Sequence, residues 1–193
     1  HMASGFSSFK GASAQKDSEL KGTIRISVYN SISSVGLLDG LEQFHQRYPQ
    51  LALDIGYNHG QTSLANGEID IALRLDYPQE GRLVVKRVAT RVSRFYTLCD
   101  APETNDWIGL TEEFEHLPMM EMGYRYYGTP PSLRLGNLVS IRDAIEKSGI
   151  PGPLSTCLAR NHPQLVEIDD PLLFSATPLY MIYHETSRND PIL

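Results

Sequence analysis

Residues 22–57 read GTIRISVYNSISSVGLLDGLEQFHQRYPQLALDIGY, and this stretch decides the fold. Ile24, Ile26 and Val28 alternate with other residues, the period of a strand. Leu37, Leu41, Phe44 and Tyr48 then recur at steps of four, three and four, which draws one apolar stripe along a helix. Pro49 stops it. Leu51, Leu53, Ile55 and Tyr57 alternate again as a second strand. Beyond them the pattern predicts a short helix around residues 62–67 that closes at Gly67, and a third strand carrying Ile69, Ile71, Leu73 and Leu75. Strand, helix, strand, helix, strand demands crossover connections, and therefore a mostly parallel, doubly wound sheet.

The remainder repeats the theme less clearly. Leu83–Val88 and Arg94–Leu98 read as extended pieces. After them come the apolar run LPMMEM, the segment SLRLGNLV and a helix SIRDAIEKSG that Gly149 terminates. Ser140 and Asp143 resemble a capping box, with Ile141, Ala144 and Ile145 facing inward. Pro151 and Pro153 predict a new helix start that carries Leu154, Cys157 and Leu158 inward. QLVEI and LYMIYHE read as late strands. The economical reading is two small α/β lobes: residues 22–89 with 178–193 form the first, and 90–177 the second. Residues 1–21 are read as a cloning remnant, His1-Met2, and a linker-helix remainder, so that the native protein begins further upstream.

The composition narrows the class. Of 193 residues, 41% are hydrophobic and 21% charged, an ordinary globular balance. A formal net charge of −6 argues against phosphate-backbone binding by this stretch, which needs clustered Lys and Arg. No apolar run approaches the roughly 18 residues of a membrane span, and the first residues lack the apolar centre of a signal peptide. Two cysteines, Cys99 and Cys157, suit a reducing cytoplasm, and both are expected to be ordinary part-buried residues.

Four segments carry a family likeness: LKGTIRISV, LEQFHQRYPQLALDI, LANGEIDIALRL and VSIRDAIEKSGIPGPLSTCLARNHPQLVEI. The chain resembles the effector-binding domain of LysR-type transcriptional regulators through Gly22-Thr23, Phe44 to Tyr48-Pro49, and Gly67 with Asp70-Ile71-Ala72. The likeness is strong to residue 75 and patchy after it. It implies a type 2 periplasmic-binding-protein-like fold: two Rossmann-like lobes joined by a hinge, with a small effector in the cleft. It further implies an antiparallel homodimer of these domains, a tetramer in the full-length protein, and promoter DNA bound through an N-terminal winged helix-turn-helix not present here. This sequence departs from the pattern through a shorter stretch between Asn58 and Asp70, through GYRYYGTPPSLRLGN, and through LYMIYHE where a tryptophan-bearing strand is usual.

The candidate site begins at the serine-rich junction after the first strand. In a parallel sheet, ligands bind beyond the carboxyl ends of strands, and helix N-termini attract anions. Asn30, Ser31 and Ser33 lie there, and the resemblance gives the position of Ser31 an effector contact. Ser33 or Ser34 also serves as a helix cap in the plainer reading. Asn58 follows the second strand. Arg74 ends the third, either to hold an anion bidentately or to pair with Asp70 or Asp76. Tyr124 and Arg125, in GYRYYG, offer an aromatic wall with a cation, or a tyrosine-rich loop packed on its own lobe. Arg87, Arg91 and Arg94 read as a solvated face, and His59 as a surface-loop histidine.

Catalysis finds no motif: there is no G-x-S-x-G, P-loop or G-x-G-x-x-G, and the histidines lack metal-ligand spacing. The expectation is a non-enzymatic cytoplasmic sensor without metal or cofactor. A stand-alone solute-binding protein of similar fold is the second reading, and a small α/β enzyme the third.

Overall fold

The computed structural model describes residues 20–28, 37, 40–57, 64, 67–78 and 81–189. The expectations for residues 1–19, for Asn30, Ser31, Ser33, Asn58 and His59, and for most of the short helix at 62–67 fall outside these residues. Two compact units divide the chain. One takes the described residues up to Arg87 together with Tyr180 onward, and the other takes Val88–Leu179.

In the first unit β1 (Gly22–Val28) pairs in parallel with β2 (Leu51–Tyr57), in register from Gly22↔Leu51 to Val28↔Tyr57. On its other side it pairs in parallel with β3 (Ile71–Arg74), from Ile26↔Ile71 to Val28↔Leu73. The crossover between β1 and β2 contains α1 (Leu41–Arg47), which ends where Tyr48 N–H donates to the Phe44 carbonyl at 2.8 Å, one residue before Pro49. Ile24 and Val28 are buried, as the alternation requires. β3 buries both Ala72 and Leu73, successive residues that point to opposite faces, so both faces of this strand are covered. Its outer neighbour is β9 (Phe174–His184), antiparallel, with Arg74 opposite Tyr180.

The chain leaves this unit along β4 (Leu83–Leu98), one continuous strand where the sequence suggests two extended pieces, and returns along β9. In the second unit β4 pairs antiparallel with β7 (Gly152–Ser155) and β8 (Leu165–Glu167). β5 (Ile108–Leu110) and β6 (Leu133–Leu135) make a separate parallel pair. Its described residues also form three α-helices: α2 (Pro118–Tyr127), α3 (Leu138–Ser148) and α4 (Thr156–Ala159). α2 and α3 end at Gly128 and Gly149, at φ 68° and 72°, a left-handed conformation that side chains with a Cβ resist.

Several sequence expectations are corrected here. The cap of α3 is Asn137, whose Oδ1 accepts the Ser140 N–H at 2.8 Å; Ser140 lies inside the helix. Pro151 and Pro153 do not open a helix. Gly152–Ser155 is a strand buried along its whole length, and its helix starts only at Thr156. Leu154 and Leu158 are buried as expected, but Cys157 and Cys99 are both exposed. GYRYYG is the end of a helix rather than a loop.

Candidate functional site

The first unit assembles its polar chemistry at the carboxyl ends of β1 and β3. Ser27 sits opposite Ala72 and Arg74 opposite Tyr180, so register puts Ser27, Ala72, Arg74 and Tyr180 on one face. Arg74 reaches across β1: its guanidinium donates to Ser27 Oγ at 2.7 Å, to the Ser27 carbonyl at 2.9 Å and to its own Leu73 carbonyl at 2.8 Å. These three acceptors are neutral oxygens, and the bonds to them fix the guanidinium in place. Asp70, offered by the sequence as an ion-pair partner, is committed elsewhere. Its Oδ2 accepts the Arg25 N–H at 2.7 Å, and its own N–H donates to the Arg25 carbonyl at 3.0 Å.

Just beyond β3, Tyr77 meets Tyr180 edge to face at 5.5 Å, with Tyr77 59% exposed. Neither tyrosine was singled out by sequence reasoning. Tyr180 lies far along the chain from Arg74, and only the antiparallel pairing of β3 with β9 brings them opposite one another. The arrangement is a held cation beside an aromatic pair at a strand terminus, which suits an anionic small molecule.

The second unit places Tyr124 and Arg125 on α2. Tyr124 donates to Glu115 Oε1 at 2.6 Å, while Arg134 donates to the same oxygen at 2.6 Å and to the Tyr124 hydroxyl at 2.8 Å. The hydrogen bond from Tyr124, and then that from Arg134, hold the Glu115 carboxyl below its ordinary value; donating that bond pushes Tyr124 upward. The ring of Tyr124 meets Trp107 edge to face at 5.4 Å, and Tyr127 stacks on Trp107 at 6.0 Å. These two tyrosines thus pack on their own unit, whereas Arg125 and Tyr126 are exposed. Burial pushes Tyr127 upward too. Trp107, which organises this cluster, also escaped sequence reasoning: a single tryptophan in a loop-like stretch has no periodicity to reveal it.

Arg94 departs from the expected solvated face, since it pairs with Glu167 at 2.9 Å and lies over the Phe174 ring. Among the described residues no group of three or more His, Cys, Asp or Glu could hold a metal ion. His162 is engaged with Glu146 at 2.7 Å and His184 with Thr186 at 2.8 Å. No described helix is long and apolar enough to cross a membrane.

A family model described as the LysR substrate binding domain matches residues 17–193. The chain belongs to this family. This LysR domain is 26% identical over 102 residues to an uncharacterized HTH-type transcriptional regulator of Haemophilus influenzae, covering 53% of this chain and 35% of that protein. The LysR domain therefore spans about a third of that curated relative's length. Among solved structures, the regulatory domain of CrgA, a LysR-type transcriptional regulator from Neisseria meningitidis, matches with a TM-score of 0.74 at 16% identity, over 90% of this chain and 94% of that one. The regulatory domain of MexT, a transcriptional activator in Pseudomonas aeruginosa, matches with a TM-score of 0.71 at 15% identity, over 88% and 92%. At such identities these likenesses speak for the fold alone. The LysR domain is of the α/β, type 2 periplasmic-binding-protein-like class that its sequence resemblance implies.

Proposed function

We propose that this LysR domain is the effector-sensing part of a cytoplasmic transcriptional regulator, and that its effector is a small anionic metabolite. The observation that carries the reading is Arg74, fixed at the carboxyl end of β3 by the carbonyl and hydroxyl of Ser27 on β1 and beside the Tyr77–Tyr180 pair. Asn30, Ser31, Ser33 and Asn58 are proposed to complete the pocket from the segments after β1 and β2. Tyr124 and Arg125 are proposed as ligand-contacting residues of the second unit taken by itself. The two units act as regulatory lobes I and II. Promoter DNA is bound through an upstream winged helix-turn-helix, a reading that the match to an HTH-type regulator supports, and the full-length protein is proposed to be a homodimer or tetramer. A stand-alone solute-binding protein would share the fold, but no feature of the chain favours it. The role is binding rather than catalysis: the effector stabilises one conformational state over another and so shifts the population that engages DNA.

A thermal-shift screen of small carboxylic acids is the first test, because a ligand of the native state alone raises apparent stability. Combining Ser31→Ala with Arg74→Ala should weaken any hit about tenfold or more, near 1.4 kcal/mol. An unchanged binding midpoint in that double variant refutes the pocket. Full-length protein that binds no promoter refutes the regulatory reading.

A further inference from the structure

We propose that the second unit carries an oxyanion-binding site of its own, a buried stripe of hydroxyls formed by Ser93, Ser175 and Thr177 with Arg91 at one end. β4 and β9 are hydrogen-bonded neighbours in the sheet. The Arg94 guanidinium lies 4.8 Å over the Phe174 ring, which puts these two side chains on one face. Successive side chains alternate, so Ser93 and Ser175 occupy the opposite face, and Arg91 and Thr177 join them two residues further on.

Ser93 is 0% exposed, Ser175 8% and Thr177 9%, and among the described residues the hydroxyl oxygens of all three lack a hydrogen-bond partner. Ser27 of the first unit is equally buried, yet its hydroxyl accepts from Arg74 at 2.7 Å. One orphaned hydroxyl is a tolerable loss. Three on one face of two adjacent strands are a repeated penalty that a partner would relieve.

The partner's chemistry follows from what the stripe offers. Each hydroxyl can donate, and alternation places Arg91 next to Ser93 on their face of β4. Glu167, the acid paired across β8, is drawn to Arg94 on the other face. Donors beside a cation select negatively charged oxygen. Next along β4 on the same face comes Phe95, 0% exposed and packed against Trp107, so the polar stripe is short and ends on an apolar floor. A small oxyanion, a carboxylate head or sulfate, matches that extent. Ser155, opposite Ser93 on β7 and itself buried, widens the polar patch by one hydroxyl.

The test uses the whole chain, titrated with sodium acetate and separately with sodium sulfate, against sodium chloride at matched ionic strength. Backbone amide resonances of residues 91–95 and 174–177 should shift saturably with at least one of the two oxyanions and not with chloride. Ser93→Ala and the near-isosteric Thr177→Val should each weaken that midpoint about fivefold or more. Neither should lower the thermal midpoint in chloride, since removing an unpaired hydroxyl removes no bond. The proposal is overturned by saturable shifts with neither oxyanion, by midpoints unchanged in both variants, or by a drop in thermal midpoint in chloride, which would mean that the hydroxyls are already paired, to water for example. Arg74→Ala should leave these resonances and their response intact, so a failure here is distinguishable from failure of the first unit's effector site.

Discussion

Gly123 leaves no room for a side chain beside Trp107. A Cβ on Gly123 would stand 2.7 Å from the Trp107 ring and 3.0 Å from Phe95. Neither ring can yield freely: Trp107 is fully buried, its Nε1–H donates to the Thr129 carbonyl at 2.9 Å, and Phe95 lies against it. Replacing glycine inside α2 by alanine gains up to about 1 kcal/mol of helix propensity. Overpacking a closed core costs about 1–3 kcal/mol. The strain should win, so Gly123→Ala is expected to destabilise by about 1–2 kcal/mol in urea unfolding. Because Trp107 is the chain's one tryptophan, its fluorescence reports the displacement directly. A stabilised variant with unaltered emission would refute the contact. Tyr96 makes a second prediction at this scale. Burial, and then the Glu167 carboxylate, push its pKa from 10.0 to about 12. The folded state keeps the proton longer than the unfolded chain, so this contribution is whole below pH 10 and is lost as pH rises through 12. Burial of Tyr127 acts in the same direction. Unfolding free energy should fall across that window, and Tyr96→Phe should flatten the fall.

At the scale of elements, α3 shows what a local cap contributes. Asn137 accepts the Ser140 N–H at 2.8 Å, whereas Ser140 supplies only its backbone to that bond. Asn137→Ala is therefore expected to cost about 1 kcal/mol, and Ser140→Ala a few tenths, by denaturant midpoint. The reverse order would restore the capping box that the sequence suggests. The misreading has a physical source: Asn137 and Ser140 are both good caps, and spacing alone does not say which turns first. β7 was illegible for a different reason. Gly152–Ser155 is buried on both faces, so it lacks the alternation that marks a half-exposed strand, and its two flanking and internal prolines mimic a helix start. β1, β2 and β3 were legible because their alternation is undisturbed and α1 separates the first two with a clean stop at Pro49. Of the site, Arg74 could be read from its place at a strand end. Its neighbours Ser27, Tyr180 and Tyr77 could not, since they depend on register between distant strands.

Across the whole molecule, burial is uneven. Among the described residues, the twelve largest fully buried side chains, from Phe95 to Leu154, all belong to the second unit, where Trp107, Phe114, Met119, Met120, Ile141 and Ile145 share the core. The described core of the first unit is made of smaller pieces, such as Ile24, Val28, Leu51, Ala72 and Leu73, and its helix α1 buries no residue. Apolar burial contributes about 25 cal/mol per Å², so the elements with the least of it should open at the least cost. Native-state hydrogen exchange should accordingly be slowest in β5, β7 and α3, and fastest among the regular elements in α1. An effector bound through Arg74 changes that order in a defined way. At one hundred times its dissociation constant it adds about 2.7 kcal/mol to every opening that releases it. Protection of the β1 and β3 amides should then rise by about that amount, while openings confined to the second unit that keep the ligand bound should be unaffected. Equal protection gains throughout the chain would mean that exchange reports only global unfolding. Gains confined to α2, with none in β1 or β3, would move the effector away from Arg74.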